Sequence, residues 1–378
     1  MMYRDFGKTG VKISRLGFGA MRLPEKKVND ASELDMDEAV RIMQHGFEQG
    51  INYVDTAYFY HDGTSEVAVG KAIKGWRDKV TLSSKSPGHL VKKPGDYRRM
   101  LEEQLTRLQE DNIDFYHFHG ISYNGFLDID KNSGWLKEAE QAKSEGLITH
   151  ICFSFHGPPE DLIKLVDLGH FESVLCQYNV LDRANEEAIA YAHEKGLGVI
   201  VMGPVGGGRI AGLPKEVRDE LNLPIENNIE MAFRFVLANP NIDCALSGMG
   251  NQQMVDENLQ YAANEMPLSD NEVEQINALM QKLRKMADLY CTGCKYCLPC
   301  PVDIPIPQIF ELYNYHKVYG LKEHACGTYA QYGQNPWLPK VKADACTECG
   351  ECEERCPQNI QIRAQLKEAH KLLSSKAA

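Results

Sequence analysis

The sequence predicts an α/β fold in two parts, a parallel (β/α)8 TIM barrel followed by a small α-helical domain organised by cysteines. Three observations carry that prediction. Short apolar, β-rich runs alternate with amphipathic segments up to about residue 265. That span suits eight βα units. Beyond it, eight of the 12 cysteines fall in two short runs. A chain of 378 residues is long for one core, so we expect a barrel over 1–285 and a second domain over 286–378.

Taken in order, the strand candidates are Arg15–Met21, Ile51–Asp55, Val80–Lys85, Ile113–His119, Ile148–Ser154, Ser173–Gln177, Gly198–Met202 and Ile242–Ser247. Helical patterns lie between them, as in Asp35–Gln49, Tyr97–Gln109, Ser133–Ser144 and Asn185–Lys195. An open doubly wound sheet is the rival, but it would carry a glycine-rich first turn for a dinucleotide, which is missing. A further helix should begin at Ser269, with Glu272 three residues later as a capping box. Val273, Ile276, Leu279, Met280, Leu283 and Met286 form its apolar stripe, expected to pack on the barrel. Pro301, Pro305 and Pro307 are expected to keep the following chain extended. The aromatic residues Phe310, Tyr313, Tyr315, Tyr319, Tyr329, Tyr332 and Trp337 argue for an ordered helical insert between the cysteine runs.

The charge balance narrows the partners. With 41 basic against 53 acidic residues the formal charge is −12, which repels nucleic acid and anionic membrane surfaces. No apolar stretch reaches membrane-spanning length, and Met1–Asp5 does not resemble a secretory signal. The expectation is a cytoplasmic protein.

The cysteine runs read Cys291-x2-Cys294-x2-Cys297-x2-Cys300-Pro301 and Cys346-x2-Cys349-x2-Cys352-x3-Cys356-Pro357. The second is the bacterial ferredoxin spacing; the first is one residue short before its last cysteine. In such a pair, three cysteines of a run hold one 4Fe–4S cube and the fourth reaches to the other. The expected ligand sets are therefore Cys291, Cys294, Cys297 and Cys356, and Cys346, Cys349, Cys352 and Cys300. Disulfides are rare in a reducing compartment. Four-thiolate zinc sites use paired C-x2-C but need neither the third and fourth cysteines at this spacing nor the trailing proline. Cys152, Cys176, Cys244 and Cys326 read as buried thiols.

Barrel enzymes place their chemistry at the C-terminal ends of strands. Asp55, Lys85, His119, Ser154 and Gln177 end successive candidate strands, and Tyr60 follows Asp55 on its loop. A phenol with an ordinary pKa of about 10 is a poor acid–base group unless a cation stabilises its phenolate. Lys85 can supply that cation, Asp55 can hold the ammonium, and His119 can hydrogen-bond a substrate oxygen. Such a site would protonate a carbonyl oxygen as hydride reaches carbon. His61, His117 and His156 complete no metal-ligand spacing, and His117 reads as a satisfied core or pocket histidine. Gly206, Gly207 and Gly208 would let backbone approach a pyrophosphate.

Taken together, Tyr3–Met21 (YRDFGKTGVKISRLGFGAM), Asp55–Tyr60 (DTAYFY), Ser65-Glu66 with Gly70, Lys85, Ile113–His119 (IDFYHFH), Gln177-Tyr178-Asn179 and Glu257-Asn258 make the chain resemble an aldo/keto reductase. The cysteine runs extend the resemblance to members fused to a C-terminal two-cluster, ferredoxin-like domain. The resemblance implies a tetrad of Asp55, Tyr60, Lys85 and His119. It also implies a nicotinamide cofactor, its carboxamide near Ser154 and Gln177 and its adenine near Glu257 and Asn258. The chain departs from the family pattern in three places. Phe155 and His156 follow Ser154 where Asn is usual. Met202 aligns with a ring-stacking Tyr, and Gly248, Met249 and Met254 align with the Lys, Ser and Arg that hold a 2′-phosphate. A dianionic phosphate without a cation is poorly compensated, which favours NAD(H) over NADP(H).

The leading expectation is an oxidoreductase interconverting a small carbonyl and its alcohol, with clusters passing electrons to or from a ferredoxin-type partner. Hydride carries two electrons and each cube one; a flavin would bridge them, but no flavin signature is readable. Two alternatives stay open: a reductase whose clusters are structural or redox-sensing, and a non-enzymatic nucleotide-sensing docking module.

Overall fold

The computed structural model describes residues 1–28, 31–208, 210–213, 219, 221, 223, 225–263, 268–285, 291, 297–356 and 360–375. Met286, Cys294 and Pro357, all used in the sequence reading, lie outside them. The chain divides into two compact units, Met1–Gly207 with Ile229–Ser269, and Gly208–Asn228 with Asp270–Ala378. Among the described residues no helix is long and apolar enough to cross a membrane.

The first unit is a closed barrel of eight parallel strands. They are β1 Leu16–Gly19, β2 Tyr53–Asp55, β3 Thr81–Pro87, β4 Ile113–His119, β5 Ile148–Phe155, β6 Ser173–Gln177, β7 Gly198–Met202 and β8 Cys244–Ser247. Each falls on an expected run and differs from it only at its ends. They pair in sequence order, and β8 closes onto β1 from Ala245↔Leu16 to Ser247↔Phe18. Every residue of β1, β2 and β8 is buried. Lumen and outer helices cover the two faces, so the strands read as continuous apolar runs instead of alternating.

The outer layer is α1 Met36–Glu48, α2 Thr64–Ile73, α3 Asp96–Leu108, α4 Tyr123–Ser133, α5 Trp135–Ser144, α6 Pro159–Asp167, α7 Glu186–Lys195, α8 Asn228–Ala238 and α9 Gln252–Ala262. In α1, Asp35 and Gln49 are the caps, and Ala39, Ile42, Met43 and Phe47 form one buried face at helical spacing. Gly70 lets α2 approach α3, since a Cβ there would stand 2.1 Å from the Leu108 carbonyl oxygen.

Two hairpins escaped the sequence reading because their strands are too short to show alternation. Tyr3–Asp5 pairs with Lys12–Ser14, and the hairpin floors the barrel. Phe6 and Ile13 are buried with Tyr53, Phe115, Cys152, Leu175, Ile200 and Cys244, and the Phe6 and Phe115 rings lie 4.9 Å apart. The other hairpin joins Glu25–Val28 to Ala31–Leu34. Cys152, Cys176, Cys244 and Cys326 are buried thiols, as expected.

The second unit holds α10 Asp270–Lys285, α11 Ile306–Lys317, α12 Lys322–Ala330, α13 Glu351–Glu354 and α14 Ile362–Leu373. Helix α10 starts one residue past Ser269, and Ile276, Leu279 and Met280 are buried along it. The aromatic insert is helical, with Ile309, Phe310, Tyr313, Tyr329, Leu366 and Ala369 in its core. The expectation that Pro305 and Pro307 hold the chain extended is corrected. Pro305 is the N-cap of α11 and Pro307 lies in its first turn. First-turn amides need no intrahelical acceptor, so proline initiates the helix there.

In the lumen, His117 on β4 is the register partner of Lys85 on β3 and Cys152 on β5. It is fully buried, and although neither ring nitrogen makes a hydrogen bond of ordinary geometry, the Phe153 backbone lies close enough to act on the ring. Burial first, then the Lys85 charge, lowers its pKa to about 3. The unfolded imidazole gains a proton near its ordinary pKa of 6.5, and the folded one does so only near 3. This contribution to stability is therefore complete above pH 6.5 and is lost as pH falls toward 3. Urea unfolding followed by the fluorescence of buried Trp135 should show His117→Leu removing about 2 kcal/mol of the stability lost between about pH 7.5 and pH 5. An unchanged pH dependence would refute this.

Candidate active site

The residues at the strand ends converge at one mouth of the barrel. Asp55 ends β2 and Lys85 lies in β3, one rung beyond Ser83, which pairs with Asp55. The Asp55 carboxylate accepts from the Lys85 ammonium and, at 2.8 Å, from the Ser83 hydroxyl. Lys85 also donates to the Thr56 carbonyl at 2.6 Å. The two charged side chains are 1% and 3% exposed, so water does not screen the pair.

Tyr60 opens a 3-10 turn, Tyr60–Gly63, in which His61 and Asp62 have φ of 48° and 53°. Two successive non-glycine residues in the left-handed region are costly. The turn is held by its surroundings: the His61 imidazole pairs with Glu25 of the second hairpin at 3.3 Å, and the Thr64 hydroxyl bonds the His61 carbonyl at 2.6 Å. This curl brings the phenol ring centroid to 5.0 Å from Lys85 Nζ. His119, at the end of β4, stands edge-on to Tyr60 with centroids 6.0 Å apart. Phe59 stacks flat on His119 at 4.9 Å. The structure thus brings together Asp55, Tyr60, Lys85 and His119.

Their protonation states follow from burial and mutual charge. Burial alone would depress Lys85, but the Asp55 carboxylate and then Tyr60 outweigh it and hold the ammonium charged. The Tyr60 phenol is pushed up, by burial first, with Lys85 as the main opposing influence. The sequence reading had stressed Lys85 alone; in the structure burial exceeds it, and the phenol rests protonated. Burial, then Lys85, lowers His119 well below the ordinary imidazole range, so it is a neutral ring. His119 Nδ1 is buried without a hydrogen-bond partner. The arrangement can donate a phenolic proton and stabilise the resulting phenolate beside an ammonium.

The residues expected to hold a nicotinamide lie on neighbouring strand ends. Ser154 is on β5, and its hydroxyl accepts from Gly120 N at 2.8 Å, next to His119. Gln177 and Met202 are register partners at the ends of β6 and β7. Met202 is partly buried and packs against the lumen core, so less of it is available to a ligand than the alignment implied. Gly206–Gly208 form a 3-10 turn after β7, with φ of 59°, 68° and 93°. Glu257 and Asn258 lie on α9. Glu257 pairs with Gln253 at 2.7 Å, and the buried Asn258 amide donates to the Ser247 hydroxyl at 3.1 Å. The glycine turn and the row of strand-end amide and hydroxyl groups fit a dinucleotide.

Sequence reasoning missed Ser83, which the alternation of β3 could have revealed two residues before Lys85. It also missed Arg22. Its guanidinium donates to the Gly207 carbonyl at 2.8 Å, and a Cβ on Gly248 would stand 3.1 Å from the Arg22 Cβ. A cation therefore stands beside glycines whose surroundings the alignment had read as uncharged.

In the second unit, Cys300, Cys346, Cys349 and Cys352 line one pocket, together with Cys297, Ile304, Ile306, Arg363 and Leu366. Cys291 and Cys356 do not line it, and Cys294 lies outside the described residues. Among the described residues, no three His, Cys, Asp or Glu side chains form a group that could hold one metal ion. A cube is gripped at its corners, so its thiolates must surround a body and need not meet at a point. Four thiols from two chain segments around a partly apolar hollow fit such a body.

Comparison with known proteins agrees with this architecture. Residues 15–223 match the family model described as Aldo/keto reductase family, and residues 290–360 match a 4Fe-4S dicluster domain. The uncharacterized oxidoreductase YqkF of Bacillus subtilis is 27% identical over 74% of this chain and 96% of its own. L-galactose dehydrogenase of Arabidopsis thaliana is 25% identical over 75% of this chain and 95% of its own. Among solved structures, the holo form of an aldo-keto reductase from Bacillus halodurans superposes with a TM-score of 0.63 at 28% identity, covering 74% of this chain and 96% of that one. With more than half of its length matched and a closed barrel observed, the chain belongs to the aldo/keto reductase family and carries a 4Fe–4S dicluster domain at its C-terminal side.

Proposed function

We propose that the barrel interconverts a small carbonyl compound and its alcohol with a nicotinamide cofactor. The observation that carries this reading is the buried Lys85 ammonium, bonded to Asp55 and set 5.0 Å from the Tyr60 ring. When bound, the nicotinamide supplies or accepts the hydride at the substrate carbon. Ser154 and Gln177 would hold its carboxamide, the Gly206–Gly208 turn its pyrophosphate, and Glu257 with Asn258 its adenosine. In the reducing direction, Tyr60 gives its proton to the carbonyl oxygen, and Lys85 stabilises the phenolate that remains. Asp55 keeps Lys85 charged and aimed. Neutral His119 donates a hydrogen bond to the same oxygen, which fixes the carbonyl relative to the phenol. The reverse direction runs the proton back to the phenolate. The Arabidopsis relative, named L-galactose dehydrogenase, supports a reaction of this class.

The clusters, in this reading, pass single electrons to or from a ferredoxin-type partner, and a reducing compartment such as the cytoplasm suits their thiolates. We assign NAD(H) as the cofactor. The support is the lack of charge at Gly248, Met249 and Met254, together with the engagement of Arg22 by the Gly207 carbonyl.

Two measurements test these assignments. Tyr60→Phe should lower kcat for carbonyl reduction by about a hundredfold or more while leaving the nicotinamide dissociation constant within about twofold. Full activity in that variant would eliminate the phenol as proton donor. Titration should show NADH binding about tenfold more tightly than NADPH, with the ratio preserved in Arg22→Ala. A preference for NADPH that collapses in Arg22→Ala would reverse the cofactor assignment and make Arg22 the missing cation.

A further inference from the structure

The loop that carries Cys346, Cys349 and Cys352 is unusually acidic, with Glu348, Glu351, Glu353 and Glu354 in or directly after it. A cube on four thiolates is anionic and gains a further negative charge when it takes an electron, so these carboxylates oppose reduction. Three cations answer them. Arg355 bonds Glu351 at 2.7 Å, Lys367 pairs with Glu348 at 2.8 Å, and Arg363 grips Glu353 at 2.7 and 3.0 Å.

Of the three, Arg363 lines the cysteine cavity. It stands in the first turn of α14, and its backbone N–H also donates to Glu353 at 2.8 Å. The guanidinium lies over Gly350, where a Cβ would stand 3.9 Å from both its Cζ and Nη1. Its Nη1 reaches the Glu348 carbonyl at 3.4 Å. One side chain thus ties the loop on both sides of Gly350, which has φ of 87°, while presenting a cation toward the hollow that the thiols surround.

We propose that Arg363 is a positioning residue for the cube on Cys300, Cys346, Cys349 and Cys352, fixing the Cys349–Cys352 loop and stabilising the reduced cube by its charge. The inference rests on the reading that those four cysteines hold a 4Fe–4S cluster. Its side chain is 43% exposed, so solvent screens part of the charge and the effect is moderate. It should also fall more heavily on this cube, because all four of its cysteines line the cavity with Arg363, whereas Cys297 is the one described cysteine of the other ligand set that does. The reduction it favours is a one-electron step, with the electron supplied by an added chemical reductant such as dithionite.

The test is an EPR-monitored redox titration of the full-length protein, purified anaerobically with its clusters. Arg363→Gln should move one cluster to a lower midpoint potential and move the other less. Arg363→Lys, which keeps the charge, should restore most of the shift, and Arg355→Gln should move neither. Unchanged potentials in Arg363→Gln, equal shifts of both clusters, or an equal shift in Arg355→Gln would overturn the proposal. If Arg363→Gln fails to retain iron, Arg363→Lys decides: near-native iron and potential support the role, and iron loss there too overturns the charge component. Absence of any cluster signal from the unsubstituted protein would instead remove the four-cysteine reading on which the inference stands.

Discussion

The barrel mouth is organised by one buried ion pair, Lys85 with Asp55. Taking both charges out of water costs several kcal/mol each, and their attraction offsets this only with good geometry and further hydrogen bonds. Both conditions are met, since Ser83 donates to the carboxylate and the Thr56 carbonyl accepts from the ammonium. Neither partner tolerates loss of the other, because an uncompensated buried charge costs roughly 3–5 kcal/mol. The pair in turn sets its neighbours. Its Lys85 member opposes the burial that pushes the Tyr60 phenol up, while Asp55 adds to that push, and Lys85 helps hold His117, His119 and His156 neutral.

Those neutral imidazoles distinguish this mouth from a simple cationic pocket. A protonated His119 beside Lys85 would place two positive charges together in a low-dielectric lumen. The fold avoids that by burying the ring against Phe59, leaving one cation to act on the phenol. His117 sits deeper on the same strand face and carries the cost without hydrogen bonds of ordinary geometry.

Much of this was legible in the residues. Fully buried parallel strands read as apolar runs, so eight barrel strands could be located, and polar residues at their ends marked the mouth. Tyr60 was found by its nearness to Asp55, although the left-handed turn at His61 and Asp62 that aims it has no sequence signature. The small hairpins were invisible because three- or four-residue strands carry no period. Pro307 misled because a proline in a helix's first turn and a proline in extended chain look alike without the register of the helix. Arg22 was missed because its role depends on the approach of loops far apart in sequence, whereas the cysteine spacing is local and spoke for itself.

The proposed function poses an electron-counting problem, since hydride transfer moves two electrons and each cluster moves one. The proposed chemistry at the mouth depends on the ammonium beside the phenol. The most direct measurement replaces Tyr60 with difluorotyrosine, whose lower intrinsic pKa keeps the titration accessible, and follows its ionisation by ultraviolet absorbance. Removing the ion pair as a neutral double variant, Lys85→Met with Asp55→Asn, should move that ionisation to higher pH. An ionisation that stays put or moves lower would contradict the claim that Lys85 stabilises the Tyr60 phenolate.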